Sequence, residues 1–510
     1  MKNPFASLLF AGAIALGVAG PAHAAKNLVV GLDADVLGLD PADLNDNLSQ
    51  SAVRLVFDGL YRLDHDMKLV PGLATSFSAN EEATEFTFHL RKGVVFQDGS
   101  PFNAAAVQYS FKRAGDPANH LKRQSLFSMV DHTDVIDDYT VKVVLKYPFG
   151  AFVNDIAHPG ALIISPKSYE TYGKDIARHP AGTGMFELDN WSADTLVLKK
   201  NPNYWRPGLP KLDTVTYKAV PENGTRMAML QAGEAQFIFP VPPEMIKSLA
   251  NSPTITIFNK PSILVRYVAL NVMRKPFSDL RVRQALNYAV DKQAYIKVVW
   301  SGYADPMDSP MPAGLPFYKK QGEYKYDPAK AKQLLAEAGY PNGFDATITG
   351  GNPTLSQRGM QFLQQQLGMV GVRLKVEALE SGVLTAKMFN VTKPEDATIT
   401  MLYGGWSSST GDADWGTRPM LYTKSFPPVL SNLAWYSNPI TDAAIEEGLS
   451  TVDPIKRAAA YAKVQAQVWH DAPWIFLSVD RSIAAYSKRL TGAYIRPDLQ
   501  VDLDPDADLN

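Results

Sequence analysis

The chain has 510 residues, with 50 Lys and Arg against 52 Asp and Glu, a formal net charge of −2 and 46% hydrophobic residues. That balance excludes a disordered or fibrous chain, and it supplies no basic field to gather nucleic acid. Cysteine is absent, which removes disulfides, thiolate nucleophiles, Cys-ligated zinc and iron–sulfur clusters together.

In chain order, the first segment MKNPFASLLFAGAIALGVAGPAHAA carries Lys2, an apolar stretch from about Phe5 to Val18, the breaker Gly20-Pro21 and the small-x-small triplet Ala22-His23-Ala24. This predicts a cleavable secretory signal over residues 1–24 and a periplasmic protein, because the apolar stretch is too short to span a bilayer. Without a cysteine at the cleavage point, no lipid anchor is expected there. Lys26–Leu32 reads as a buried opening strand. Asp40-Pro41 breaks it before a helix on which Val53, Val56, Phe57 and Leu60 share one face. Phe86, Phe88 and Leu90 alternate with polar residues as a strand, Asp98-Gly99 turns, and Asn103 caps a helix with Val107, Phe111 and Ala114 aligned. Asp327-Pro328 and Asp453-Pro454 each read as an N-cap followed by proline at the first helical position. The helix from Asp327 carries Ala331, Leu334, Leu335 and Ala338 on its core face and ends at Gly339; Tyr340-Pro341-Asn342-Gly343 then turns into a strand. Alternating strands and helices without a repeat predict an α/β protein. Since single cores stop growing beyond roughly 250–300 residues, two large lobes are expected.

Catalytic signatures are missing. There is no GxSxG elbow, no HExxH, no phosphate-binding GxxxxGK[ST], and no GxGxxG between a strand and a helix. His23 falls in the signal, and His65, His89, His120, His132, His158, His179 and His470 never take a helical i, i+4 spacing. Asp412-Ala413-Asp414 and the tail acids Asp502, Asp504, Asp506 and Asp508 lack the glycine-to-glutamate spacing of a calcium loop. We therefore expect no catalytic residue, no metal and no cofactor.

Several ordered segments instead carry a whole-chain likeness. TEFTFHLRKGVVFQDGSPFNAAAVQYSFKR at 84–113, GTGMFEL at 182–188, NPNYW at 201–205, KPFSDLRVRQALNYAVDK at 275–292 and YDPAKAKQLLAEAGYPNGF at 326–344 resemble family 5 solute-binding proteins, the peptide, dipeptide and nickel receptors of bacterial ABC importers. Met185 departs from the pattern, where the family usually has proline. GDPANHLKR at 115–123, NGTRMAMLQAGEAQF at 223–237 and GWSSSTGDADW at 405–415 are similar to the glutathione receptors within that family. The resemblance implies a two-lobed periplasmic binding protein fold with a two-strand hinge, near 262–271 and 474–485, and a ligand cleft. Lobe I would take residues 25–262 plus 482–510, and lobe II residues 263–481.

The resemblance also implies the site. Arg123 stands where peptide receptors commonly carry tyrosine, and Arg266 ends a hinge strand; their planar forks suit the two carboxylates of glutathione. Taken alone, each arginine reads as a solvated surface residue. Asn45, Asp46, Asn47 and Leu48 match the loop lining the family's cleft, although Asn and Asp are also plain loop formers. Gly405, Trp406, Ser407, Ser408 and Ser409 match the segment that pairs with peptide backbones, with Trp406 as a wall or as core packing. Ser409 departs from the family: an aspartate there holds the peptide ammonium in dipeptide receptors, so Asp412 is expected to replace it or to cap a turn. The expected partners are a small ligand, glutathione or a short peptide, and inner-membrane ABC permease subunits; the resemblance implies a monomer. A receptor for dipeptides, opines or a chelated metal is the alternative, and a secreted hydrolase the remote one.

Overall fold

The computed structural model describes residues 25–510, so the expected signal over 1–24 lies outside the described residues. A mixed sheet of eleven strands runs through the molecule. Its spatial order is Val372–Leu379, Phe344–Gly351, Met401–Ser407, Ile255–Leu270, Trp474–Ser487, Phe237–Phe239, Asn27–Leu32, Thr214–Ala219, Thr195–Lys200 and Phe186–Trp191, with Ala304–Pro306 added beside Trp474–Ser487. The opening strand Asn27–Leu32 lies parallel to both of its neighbours. Leu28, Val30 and Leu32 are buried there, as expected for a short apolar run inside a sheet.

The fold is α/β and two-lobed, and the two longest strands belong to both lobes. Ala484 packs into the core around Leu28, Val56 and Leu503, whereas Ile475, Leu477, Val268 and Leu270 pack into the core around Leu286, Leu363 and Tyr403. The expected first hinge strand began near Ser262; the observed one begins at Ile255, which pairs with Ser487. Thr256, Asn259 and Lys260 hide this early half from a hydrophobicity reading, because its ladder lies against half-buried surface. The pairing breaks between Pro261 and Val265, where three residues oppose Asp480 alone. Pro261 cannot donate to a ladder, and such prolines collect at bulges. Asn287, from the 275–292 motif, clasps the second strand: its Nδ2 donates to the Trp474 carbonyl at 2.8 Å and its Oδ1 accepts the Phe476 N–H at 3.0 Å. Trp474 in turn stacks on Tyr267 at 4.1 Å.

Residues of the expected first lobe also form a separate four-stranded antiparallel sheet, in the order Ala74–Ala79, Glu85–Leu90, Thr140–Leu145 and Val130–Asp137. Its Phe86, Phe88, Val141 and Phe152 share one apolar cluster with Val265, Tyr267, Met420 and Tyr461. The caps follow local chemistry. Asn103 accepts from Ala106 N–H at 3.1 Å, Asp327 from Lys330 N–H at 2.9 Å and Asp453 from Ile455 N–H at 2.8 Å. The helix read through Leu60 instead ends at Val56, with Phe57 already extended; Leu60 is buried from outside the helix.

The GTG motif is explained by close approach. The Gly184 N–H donates to the Val56 carbonyl at 3.0 Å, and a Cβ on Gly182 would overlap that carbonyl oxygen and sit 2.6 Å from the Phe57 ring. Gly182→Ala is expected to lose about 1–3 kcal/mol of stability, the usual size of an overpacking penalty. Equilibrium denaturation reads this, and an unchanged midpoint would contradict the packing argument.

Candidate functional site

One wall starts at a 3-10 turn, Pro41–Asp43. Asn45 is exposed. Asp46 caps the helix Asn47–Val56 by accepting the Ser49 N–H at 2.8 Å, and its other oxygen is buried without a partner. Asn47 Nδ2 donates to the Asp498 carbonyl at 3.2 Å, and Leu48 packs on the adjacent core. Arg123 is tied to this same loop: its N–H donates to Ala42 O at 3.0 Å and its Nε to Leu44 O at 2.6 Å. The arginine stem crosses Gly160, where a Cβ would lie 2.7 Å from Arg123 Cγ. Both Nη groups stay without a protein partner among the described residues. Burial lowers the Arg123 pKa, and the charge of Asp46 opposes that shift.

Arg266 sits on the other wall, opposite Gly405 on one neighbouring strand and Ser478 on the other. Its Nε donates to Asp480 Oδ2 at 2.9 Å, and its guanidinium lies 5.6 Å from the Trp300 ring. A Cβ at Gly405 would come within 3.1 Å of Arg266 Nη1, so glycine leaves room for the fork. Burial works against the Arg266 charge, but Asp480 outweighs it and raises the pKa. Asp480 itself is pushed by burial up to about 6 against the pull of Arg266. Asp480 escaped the sequence reading because its partner Arg266 lies 214 residues earlier in the chain.

The expected peptide-pairing segment continues from the strand Met401–Ser407. Trp406 Nε1 donates to the Trp415 carbonyl at 2.6 Å, so the ring is half-buried and fixed. Ser407 Oγ is buried without a partner. Ser408 Oγ donates to Asp412 O at 2.6 Å, and the Ser409 N–H donates to Ser407 O at 3.0 Å. Of the two roles expected of Asp412, the structure shows the turn cap and not a free carboxylate. The residue is 1% exposed, and its two oxygens accept both Arg457 Nη groups at 2.7 and 3.0 Å. Oδ1 also accepts the Asp414 N–H at 2.8 Å. This carboxylate is saturated by the fold and is not free to hold an ammonium. Asp414 is likewise forked by Arg418.

These segments converge through a short chain of contacts. The Pro497 carbonyl accepts Ile263 N–H at 2.9 Å, next to the Asp498 carbonyl that holds Asn47. Arg496, wholly buried, bonds Asp498 and the Leu63 carbonyl at 2.5 Å. Leu63 and Met67 lie against Gly411, where a Cβ would be 3.0 Å from Leu63 Cδ1. Asn154 Nδ2 donates to Thr410 O at 3.2 Å, and Gly150 N–H to Leu449 O at 2.7 Å. Among the described residues, no group of three His, Asp or Glu is placed to hold a metal, and no helix is long and apolar enough to cross a membrane.

Comparison with known proteins fixes the class. The family model for bacterial extracellular solute-binding proteins, family 5, matches residues 68–427. The chain is 45% identical over 504 residues to the glutathione-binding protein GsiB of Pectobacterium atrosepticum, covering 98% of each chain. It is 44% identical to GsiB of Escherichia coli over 505 residues, again 98% of each. Among solved structures, the periplasmic binding protein DppA of Helicobacter pylori, an ABC transporter-associated protein in complex with the peptide STSA, superposes with a TM-score of 0.79 at 27% identity, over 94% of this chain and 98% of that one. HbpA2 of Haemophilus parasuis gives a TM-score of 0.85 at 25% identity, over 95% and 100%. The chain belongs to the family 5 bacterial extracellular solute-binding proteins.

Two outcomes follow from the buried charges. Arg457→Ala strands Asp412 in the interior and is expected to cost about 3–5 kcal/mol in a denaturant titration; a small loss would show that the pair is dispensable. Asp155, 2% exposed, faces Asp414, Arg418, Asp412 and Arg457, and burial followed by Asp414 raises its carboxyl well above the ordinary range. A raised folded-state pKa contributes stability at low pH that is lost as pH rises past about 4, the unfolded value. Asp155→Asn is therefore expected to be more stable than the parent at pH 8 and equal to it below pH ~4, measured by thermal unfolding across pH.

Proposed function

We propose that this protein is a periplasmic receptor that captures glutathione between its lobes and delivers it to an ABC import permease. The carrying observation is the identity of 45% over 98% of both chains with a protein named for binding glutathione. The chemistry of the walls supports it. Glutathione offers a glycine carboxylate at one end and, at the other, an ammonium and a carboxylate on the same carbon. Arg123 and Arg266 are each steered through Nε, by Leu44 O and by Asp480. That leaves the Nη groups, the half of the fork that binds a carboxylate bidentately, for a ligand. With Asp412 saturated, Asp46 beside Arg123 is the remaining acid of the expected site, and one of its oxygens is unpaired. We assign the γ-glutamyl zwitterion to Asp46 and Arg123, the glycine carboxylate to Arg266, and the amides to Asn45, Asn47 and the Gly405–Ser409 segment.

In this reading residues 1–24 are removed on export. The receptor is a monomer without cofactor, and no covalent step occurs. The lobes, 25–262 plus 482–510 and 263–481, turn about the ladder break at Ser262–Leu264. Closure shifts a population towards the form the permease recognises, and it requires ligand contacts to both lobes at once.

Isothermal titration with glutathione, oxidised glutathione and Ala-Ala tests the assignment. Saturable one-site binding of glutathione is expected, and a response to Ala-Ala alone would make the chain a dipeptide receptor. Arg123→Ala and Arg266→Ala should each lose at least about tenfold in affinity. Asp46→Asn keeps the helix cap, since Asn caps as well as Asp, yet should weaken γ-Glu-Cys and leave Cys-Gly unaffected. An equal effect on both fragments would remove Asp46 from the γ-glutamyl end.

A further inference from the structure

A small polar cavity lies beside the C-terminal end of the helix Asn47–Val56, and none of its lining residues is among those assigned to glutathione. It has a volume of about 50 Å³, and its lining includes Arg54, Arg62, Arg206, Tyr204, Asp58 and Asp502. Three guanidinium groups thus meet two carboxylates. Both carboxylates offset part of this charge, Asp58 towards Arg206 and Arg62 and Asp502 towards Arg54, but neither hydrogen-bonds a guanidinium lining the cavity. Asp58 Oδ2 is occupied by Thr183 Oγ1 and Trp205 Nε1, both at 2.9 Å. Asp502 is shared between Arg54 Nε and Arg496 Nη1, each at 3.7 Å, beyond hydrogen-bond length.

The arginines are correspondingly underused. The Arg54 side chain is 6% exposed, and its Nε has no hydrogen-bond partner. Arg62 Nε is also buried and unpartnered. Among the described residues, Arg62 and Arg206 enter no salt bridge and no side-chain hydrogen bond. Arg206 rests on the Trp205 ring at 4.6 Å, with Arg91 at the same distance from that ring. Buried guanidinium donors without hydrogen-bond partners are costly, and planar guanidinium forks complement carboxylate, phosphate and sulfate oxygens. A cavity needs roughly 10–15 Å³ to hold one water, so this one has room for a small polyatomic anion.

We propose that this cavity binds one small oxyanion, held by Arg62 and Arg206 at the rim and Arg54 at the base. The same chemistry is offered by a free inorganic anion and by a carboxylate, so both are tried. The full mature protein is titrated calorimetrically with inorganic phosphate, sulfate and acetate at constant ionic strength, with chloride as the balancing ion. A saturable one-site response to at least one of them is expected: a response to phosphate or sulfate marks a free tetrahedral anion, a response to acetate alone marks a carboxylate. Arg62→Gln and Arg206→Gln should each weaken binding about tenfold or more. Arg206 lies at the rim, so its variant is expected to keep the parent's circular dichroism and unfolding midpoint. Arg123→Ala and Arg266→Ala should leave the anion response unchanged. The inference falls if all three anions give no saturable signal, if the Arg62 and Arg206 variants bind like the parent, or if the cleft variants abolish the response.

Discussion

The antiparallel ladder between Ile255–Leu270 and Trp474–Ser487 is the constraint on which the other parts depend. The pairing of these two strands runs from Ile255 opposite Ser487 to Ala269 opposite Trp474, with a three-residue lapse after Pro261 and a one-residue shift between Arg266 and Tyr267. On one side of the lapse the ladder feeds the core of Leu28 and Val56; on the other, that of Leu286 and Leu363. A buried ladder is stiff, so the lobe movement proposed above would concentrate where pairing lapses, at residues 262–264. Arg266 and Asp480 stand directly beside that lapse. In the proposed receptor Arg266 would therefore stand beside the pivot, and a ligand on its Nη groups would feel any change in the ladder.

The chain uses arginine for two physically distinct jobs, and the geometry separates them. Arg457, Arg418 and Arg496 present their forks to aspartates within the fold, where the buried pair fixes loops in place. Arg123 and Arg266 spend only Nε on the protein. Burial alone does not discriminate between these groups, because both sets are largely withdrawn from water. The number of fork atoms already bonded does.

Much of the fold was legible because its signals are local. An N-cap such as Asn103, Asp327 or Asp453 bonds an N–H two or three residues away, so the sequence contains both partners. Phe86, Phe88 and Leu90 alternate, and the strand they form is buried on alternate residues. Other features depend on partners far along the chain. Asp412 looked available because Arg457, which saturates it, lies 45 residues later. The early half of the first hinge strand was hidden for the same reason: Ile255 becomes a strand residue by pairing with Ser487. The unit around Phe88 and Val143 went unseen as a separate sheet, since its apolar partners include Val265 and Tyr461. The candidate cleft residues came from family likeness, and the geometry separates those with unspent donors from those committed to the fold.

The central place of Trp474–Ser487 has a further consequence for synthesis. This strand, near the end of the chain, lies in the middle of the sheet, and the last segment contributes Leu503 and Ala507 to the core begun by Leu28. Neither lobe can complete its interior until almost the whole polypeptide exists. Contacts between such distant residues form slowly, because long loops must close before burial rewards them.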